Sequence, residues 1–233
     1  MPTFGPLTLP VDAQSIVPSM AAERQLLARV GTSLGLVAAL SFLSWSVLPL
    51  PELADFLAHV LFGPLVMCGF VGLEAALRQG TSGVNVILGF ARMWGVAAGV
   101  CFTAMTLVQS SGMLLLNRHI AAAATPSAES VWQAILGGVA TVQLGLDVAW
   151  DVFVLLATAL FATVLLFRSG IWRILGVAGV VIGVATLVLN LATFPVPPRE
   201  AGLIDGGPLT GGWFLLVSIA VLVKLPPTSA SEG

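Results

Sequence analysis

The sequence predicts an all-α integral membrane protein: a bundle of six transmembrane helices, with an irregular, partly helical outer segment between spans three and four. Three observations lead there. The chain of 233 residues is 58% hydrophobic and only 9% charged, against about a quarter charged in an ordinary soluble domain. Too few charges remain to build a water-facing surface, so lipid is the expected solvent. Its apolar residues fall into runs near the ~20 residues that cross a bilayer at about 1.5 Å each. Proline, glycine and charged residues punctuate those runs.

The runs lie at about 28–49, 56–77, 85–109, 148–167, 173–194 and 208–224. Pro49 and Pro51 part the first from the second, and Gly80 to Gly83 the second from the third. Arg168 to Arg173 (RSGIWR) forms a tight turn between the fourth and fifth. FPVPPREAGLIDGG, Phe194 to Gly207, cannot be helical throughout and links the fifth to the sixth. Residues 111–146 are helix-compatible but interrupted at Thr125-Pro126-Ser127. The second piece could run straight into DVAWDVF as one helix far longer than a bilayer is thick; a helical extension outside, or along the interface, leading into the fourth span is expected, with a seventh span the alternative. Residues 1–25 read as an N-terminal segment, 26–225 as the bundle and 226–233 as a short tail. Pro2, Pro6, Pro10, Asp12 and Glu23 leave no secretory signal pattern near the start.

Basic residues orient the bundle. One side carries Arg24, Arg29, Arg78, Arg168, Arg173 and Lys224. The other carries Arg118 and Arg199 among Glu52, Asp55, Glu129, Glu200 and Asp205. The positive-inside rule then places both termini in the cytoplasm. Trp45, Trp150 and Trp213 near outer ends and Trp172 near an inner end fit an interfacial aromatic belt. Gly31-x-x-x-Gly35, Gly95-x-x-x-Gly99 and Gly179-x-x-x-Gly183 permit close helix packing. Pro64 should kink the second span.

Two polar groups stand out. In GLDVAWDVFVLL, Asp147 and Asp151 are four residues apart and share a helical face. Asp147 falls at the outer interface, and Asp151 about 6 Å deeper. His59 and Asn190 fall at similar depth, so the four could line an outward polar pocket binding a ligand or a proton. Gln143, Arg199 and Asp205 lie nearby in sequence or loop. The blander alternatives are wetted interfacial aspartates, or a hydrogen-bond network that locks the bundle. Near the opposite face Glu74 and Arg78 are spaced for a helical ion pair, and Arg92 is expected to turn inward to Glu74 as a structural clasp.

Absent chemistry narrows the classes. Two histidines and two cysteines, Cys68 and Cys101 without a CxxC, do not suggest a metal site. No hydrolase, zinc-protease or phosphate-loop motif appears, and no basic tract suits nucleic acid. The residues name no cofactor. The reading that follows is a non-enzymatic membrane protein that binds, senses or passes a small solute or proton. Alternatives are an accessory subunit docking on a membrane-protein partner or on its own copies and, further off, an intramembrane hydrolase or transferase.

GLDVAWDVFVLL followed by LVLNLATFPVPPREAGLIDGGPLTGGW resembles a family of bacterial multi-pass membrane proteins without assigned activity, over about residues 145–215. The resemblance implies a bacterial inner-membrane bundle in which the aspartate helix and the loop after the fifth span belong together. It implies no substrate.

Overall fold

The computed structural model describes residues 11–47, 49, 51–78, 80, 82–196, 198 and 201–226, with the side chains of 11–20, 45–47, 52 and 82 outside that description. Arg199 and Glu200, and the side chains of Trp45 and Glu52, therefore lie outside the described residues. Within it the chain is all helical, with no strand. The elements are α1 (Val11–Val47), α2 (Glu52–Leu77), α3 (Ser82–Leu107), a π-helical turn (Val108–Met113), α4 (Leu114–Ala121), α5 (Pro126–Leu166), α6 (Ile171–Thr193) and α7 (Gly207–Lys224). The π turn joins α3 to α4 without a break, leaving six long helices. All six are long and apolar enough to cross a membrane.

The expected irregular segment is instead a helical hairpin. Thr125-Pro126-Ser127 starts a helix rather than interrupting one. The Thr125 hydroxyl accepts a hydrogen bond from the Ala128 N–H at 3.2 Å, and Pro126 occupies the first turn, where a missing N–H costs nothing. From there α5 runs 41 residues, about 60 Å at 1.5 Å per residue and twice a hydrocarbon core. The partner arm, 83–121, matches it in length. Where it bends into the π turn, Thr106 and Ser110 donate to the carbonyls four residues back, at 2.9 and 2.6 Å. Such hydroxyl back-bonding competes with the helical ladder and suits a locally widened turn. His119 stacks on Trp132 across the hairpin, ring centroids 4.6 Å apart.

Helix order in space follows from where small residues sit. The most extensive interface joins α1 to α2. A Cβ on Gly31 would lie 2.6 Å from the Cys68 carbonyl, and one on Gly72 would lie 2.2 Å from the Thr32 nitrogen. Two backbones meet there, so any side chain forces them apart. The Gly179 motif works differently. It admits the indole of Trp213, whose Nε1 donates to the Leu175 carbonyl at 2.8 Å. Trp213 is 2% exposed. The belt role expected for it is therefore overturned: it pins α7 to α6 from inside the core. Trp150 also turns inward, against Phe62 and Phe102.

One end of the bundle is closed by guanidinium groups. Arg24 donates from Nε to the Ala75 carbonyl at 2.9 Å and from its terminal nitrogen to the Arg78 carbonyl. Arg168 reaches the Leu77 carbonyl at 2.8 Å, and Arg29 the Leu225 and Pro226 carbonyls. These are the orphan acceptors at the C-terminal ends of α2 and α7, where helix dipoles favour cations. Partial burial lowers the pKa of Arg168 from its ordinary value, and the capping bond offsets the loss of hydration. Gly170, at φ 65°, lets the α5–α6 turn reverse tightly beside it.

Candidate functional site

At the other end the helices do not close. A cavity of about 390 Å³ opens among α1, α2, α5, α6 and α7, with Phe102 the contribution of α3. The sequence makes it by regular spacing. On α5, Asp147, Asp151, Val154, Leu155 and Thr158 recur at three- and four-residue intervals and form one inward stripe. On α2, Phe62, Val66 and Phe70 are four apart. On α6, Thr186 and Asn190 are one turn apart, and α7 adds Thr210 and Phe214.

The loop from 194 to 206 completes the site. Of its described residues, Pro198, Asp205 and Gly206 join the lining. The Asp205 carboxylate accepts a hydrogen bond from the Gly207 N–H at 2.8 Å, at the start of α7. This is a favourable place for a negative charge. Gly206 makes the return possible, since a Cβ there would lie 2.2 Å from the Thr186 side chain.

Asp147, Asp151 and Asn190, grouped by depth in the sequence, thus line one cavity. His59 is not among its lining residues. It lies three residues nearer the start of α2 than Phe62, with Nδ1 2.8 Å from the Asp55 carbonyl and 3.4 Å from its carboxylate. Gln143 is likewise outside the lining. At the opposite end Glu74, 4% exposed, pairs with Arg78 at 2.7 Å. Arg92 is exposed on α3 and makes no ion pair among the described residues. The clasp therefore has two members, because Arg78 already satisfies Glu74 from the next helical turn.

Three features of the site depend on how the chain folds. Asp205 depends on the fold-back of a loop. Thr158 is an ordinary threonine in an apolar run, yet it lines the cavity floor, is 1% exposed, and its hydroxyl has no hydrogen-bond partner among the described residues. The aromatic wall is the third. Phe42, Phe62, Phe102 and Trp150 come from four helices, and their consecutive ring centroids are 4.5 to 5.6 Å apart. Nothing in the spacing of these residues along the chain brings them together, since Phe42, Phe62, Phe102 and Trp150 meet only when four helices pack.

Electrostatically the site is one-sided. Among the described residues no arginine, lysine or histidine pairs with Asp147, Asp151 or Asp205. No group of three histidine, cysteine, aspartate or glutamate side chains there converges closely enough to hold a metal ion. What the arrangement offers is negative charge at the mouth, amide and hydroxyl groups along the walls, and aromatic surface around a floor about 10 Å below Asp151 by helix rise. No family model, no curated protein and no solved structure matches the chain, so the site's chemistry rests on its own residues.

Proposed function

We propose that this is a non-enzymatic multi-pass membrane protein that binds, senses or passes a small solute or a proton through an outward-facing polar pocket. In this reading it sits in a bacterial inner membrane with both termini in the cytoplasm, as its arginine distribution and its resemblance to an uncharacterised bacterial family suggest. The single observation that carries it is the cavity that gathers Asp147, Asp151 and Asn190 beneath the Asp205 loop. Carboxylates in an apolar setting are costly, and they are kept where they line a water-filled route or a binding site. A bundle lock would pair them, whereas here they face open space. The volume is that of a small-molecule pocket, for which about 300–1,000 Å³ is usual.

Counting from the inner end of α5, Asp147 lies about 30 Å up the helix, the outer limit of the hydrocarbon. The pocket then opens to the outside and ends within the membrane. A second reading, as an accessory subunit, draws on a different observation. The hairpin beyond Asp147 exposes Leu114, Leu115, Val131, Ile135 and Val142 where a partner or another copy of the chain could cover them.

Native mass spectrometry of protein released gently from its own membrane separates the two. A stoichiometric small molecule or ion present in wild type and lost in Asp151→Asn supports the pocket. A protein partner retained in the variant, with no small adduct in either, supports the subunit reading and ends the first.

A further inference from the structure

Resting on the pocket reading, we propose that the ligand is an organic ammonium cation with an apolar body, held by its charge at Asp147, Asp151 and Asp205 and by its body against the aromatic wall. Four properties of the cavity point to this class. Three carboxylates line one small volume without a cationic partner among the described residues. Like charges lining one cavity repel one another, and a cation held among them lowers that repulsion. An anionic ligand would add to it.

The walls then choose among cations. Calcium or magnesium asks for about six or more oxygen ligands in a shell, and the described residues do not supply a converging set. The rest of the lining is rich in aromatic rings: Phe42, Phe62, Phe70, Phe102, Trp150 and Phe214. Rings of this kind attract ammonium groups through their negative faces and bury the attached hydrocarbon. A bare proton needs neither the rings nor the volume.

The fourth property fixes a polar end at depth. Thr158 is 1% exposed, lines the cavity, and its Oγ1 is without a partner among the described residues. Leaving a buried hydroxyl unpaired is unfavourable, and a ligand carrying a hydrogen-bonding group about 10 Å from its ammonium end would satisfy it. A purely hydrocarbon occupant such as a lipid tail would leave both the hydroxyl and the carboxylates unpaired.

The test is calorimetric titration of the full-length protein in nanodiscs of uncharged lipid, with empty nanodiscs subtracted. The probes are benzyltrimethylammonium and neopentylbenzene, its neutral carbon isostere. The ammonium should bind once per chain and about ten-fold or more tighter than the isostere, with Asp151→Asn removing most of that preference. Asp205→Asn, on a loop outside the helices, should weaken the ammonium without touching core packing, which covers the case in which Asp151→Asn fails to fold. Phe62→Leu should cost the ammonium roughly five-fold and the isostere little. Equal binding of the two probes, binding of neither, or a preference indifferent to both aspartates would each overturn the proposal. A neutral or anionic adduct in native mass spectrometry, lost in Asp151→Asn, would end the cation assignment while leaving the pocket standing. Absence of any adduct together with absence of probe binding would end both.

Discussion

The two ends of this bundle solve opposite problems with the same few charged residues. At the end near the termini, Arg24, Arg29 and Arg168 spend their N–H groups on helix-terminal carbonyls, and Glu74 pairs with Arg78. Each of these five charges answers a group within the chain. At the other end Asp147, Asp151 and Asp205 line a cavity, and among the described residues the only hydrogen bond to any of them comes from the Gly207 N–H to Asp205. Charges in a helix bundle thus stabilise it when they answer a backbone group. Where they answer nothing in the chain, they are available to something outside it. The difference predicts that substitutions at the two ends change stability in opposite directions.

The largest expected effect is at the closed half, where α1 and α2 touch. Gly72→Val must displace the Thr32 backbone, and overpacking of that kind costs about 1–3 kcal/mol. A thermal melt in detergent should show the loss, or the variant should fail to accumulate. Next come the caps: Arg24→Ala leaves two helix-terminal carbonyls without their donor and should cost about 1–2 kcal/mol. If Arg24→Ala melted like wild type, the closed end would owe its stability to packing alone.

At the open end the signs reverse. Thr158→Val keeps the side-chain shape while deleting an unpartnered buried hydroxyl, and should raise stability by about 1 kcal/mol. The smallest effect belongs to Asp151→Asn, which removes an uncompensated charge near the mouth. It should leave the melting temperature unchanged or slightly higher, because no bond within the protein is lost. A drop as large as that of Arg24→Ala would show that the aspartate is a structural member and would dissolve the contrast between the ends.

How far the sequence anticipates this depends on the kind of information each feature needs. Helices and their punctuation are local, so six long apolar helices were legible from composition and run length. Depth is also local, since helix rise alone sets Asp147, Asp151 and Asn190 within about a turn of one another. Rotation and loop path are not local. His59 shares the level yet does not line the cavity, and Asp205 arrives through a loop whose course depends on Gly206 clearing Thr186. Trp213 shows the same limit: its position suggested the interface, while a glycine on α6 drew it into the core. The region 111–146 was read only in part: its helical extension into the fourth span is seen in α5, while the expected irregularity is not, for another reason. Thr-Pro-Ser reads equally as a helix breaker and as a helix start. Only the 41-residue run that follows decides between them.

The central claim is an open acidic end facing a closed basic one, and thiol accessibility in sealed, oriented vesicles tests it most directly. On a background with Cys68 and Cys101 replaced by serine, cysteine is introduced in turn at Thr158, at Asn190 and at Ala75. A membrane-impermeant maleimide applied to the outer face should label the first two, and none of the three should react from the inner face. Failure of positions 158 and 190 to react from outside, or labelling of 158 from inside, would contradict the account.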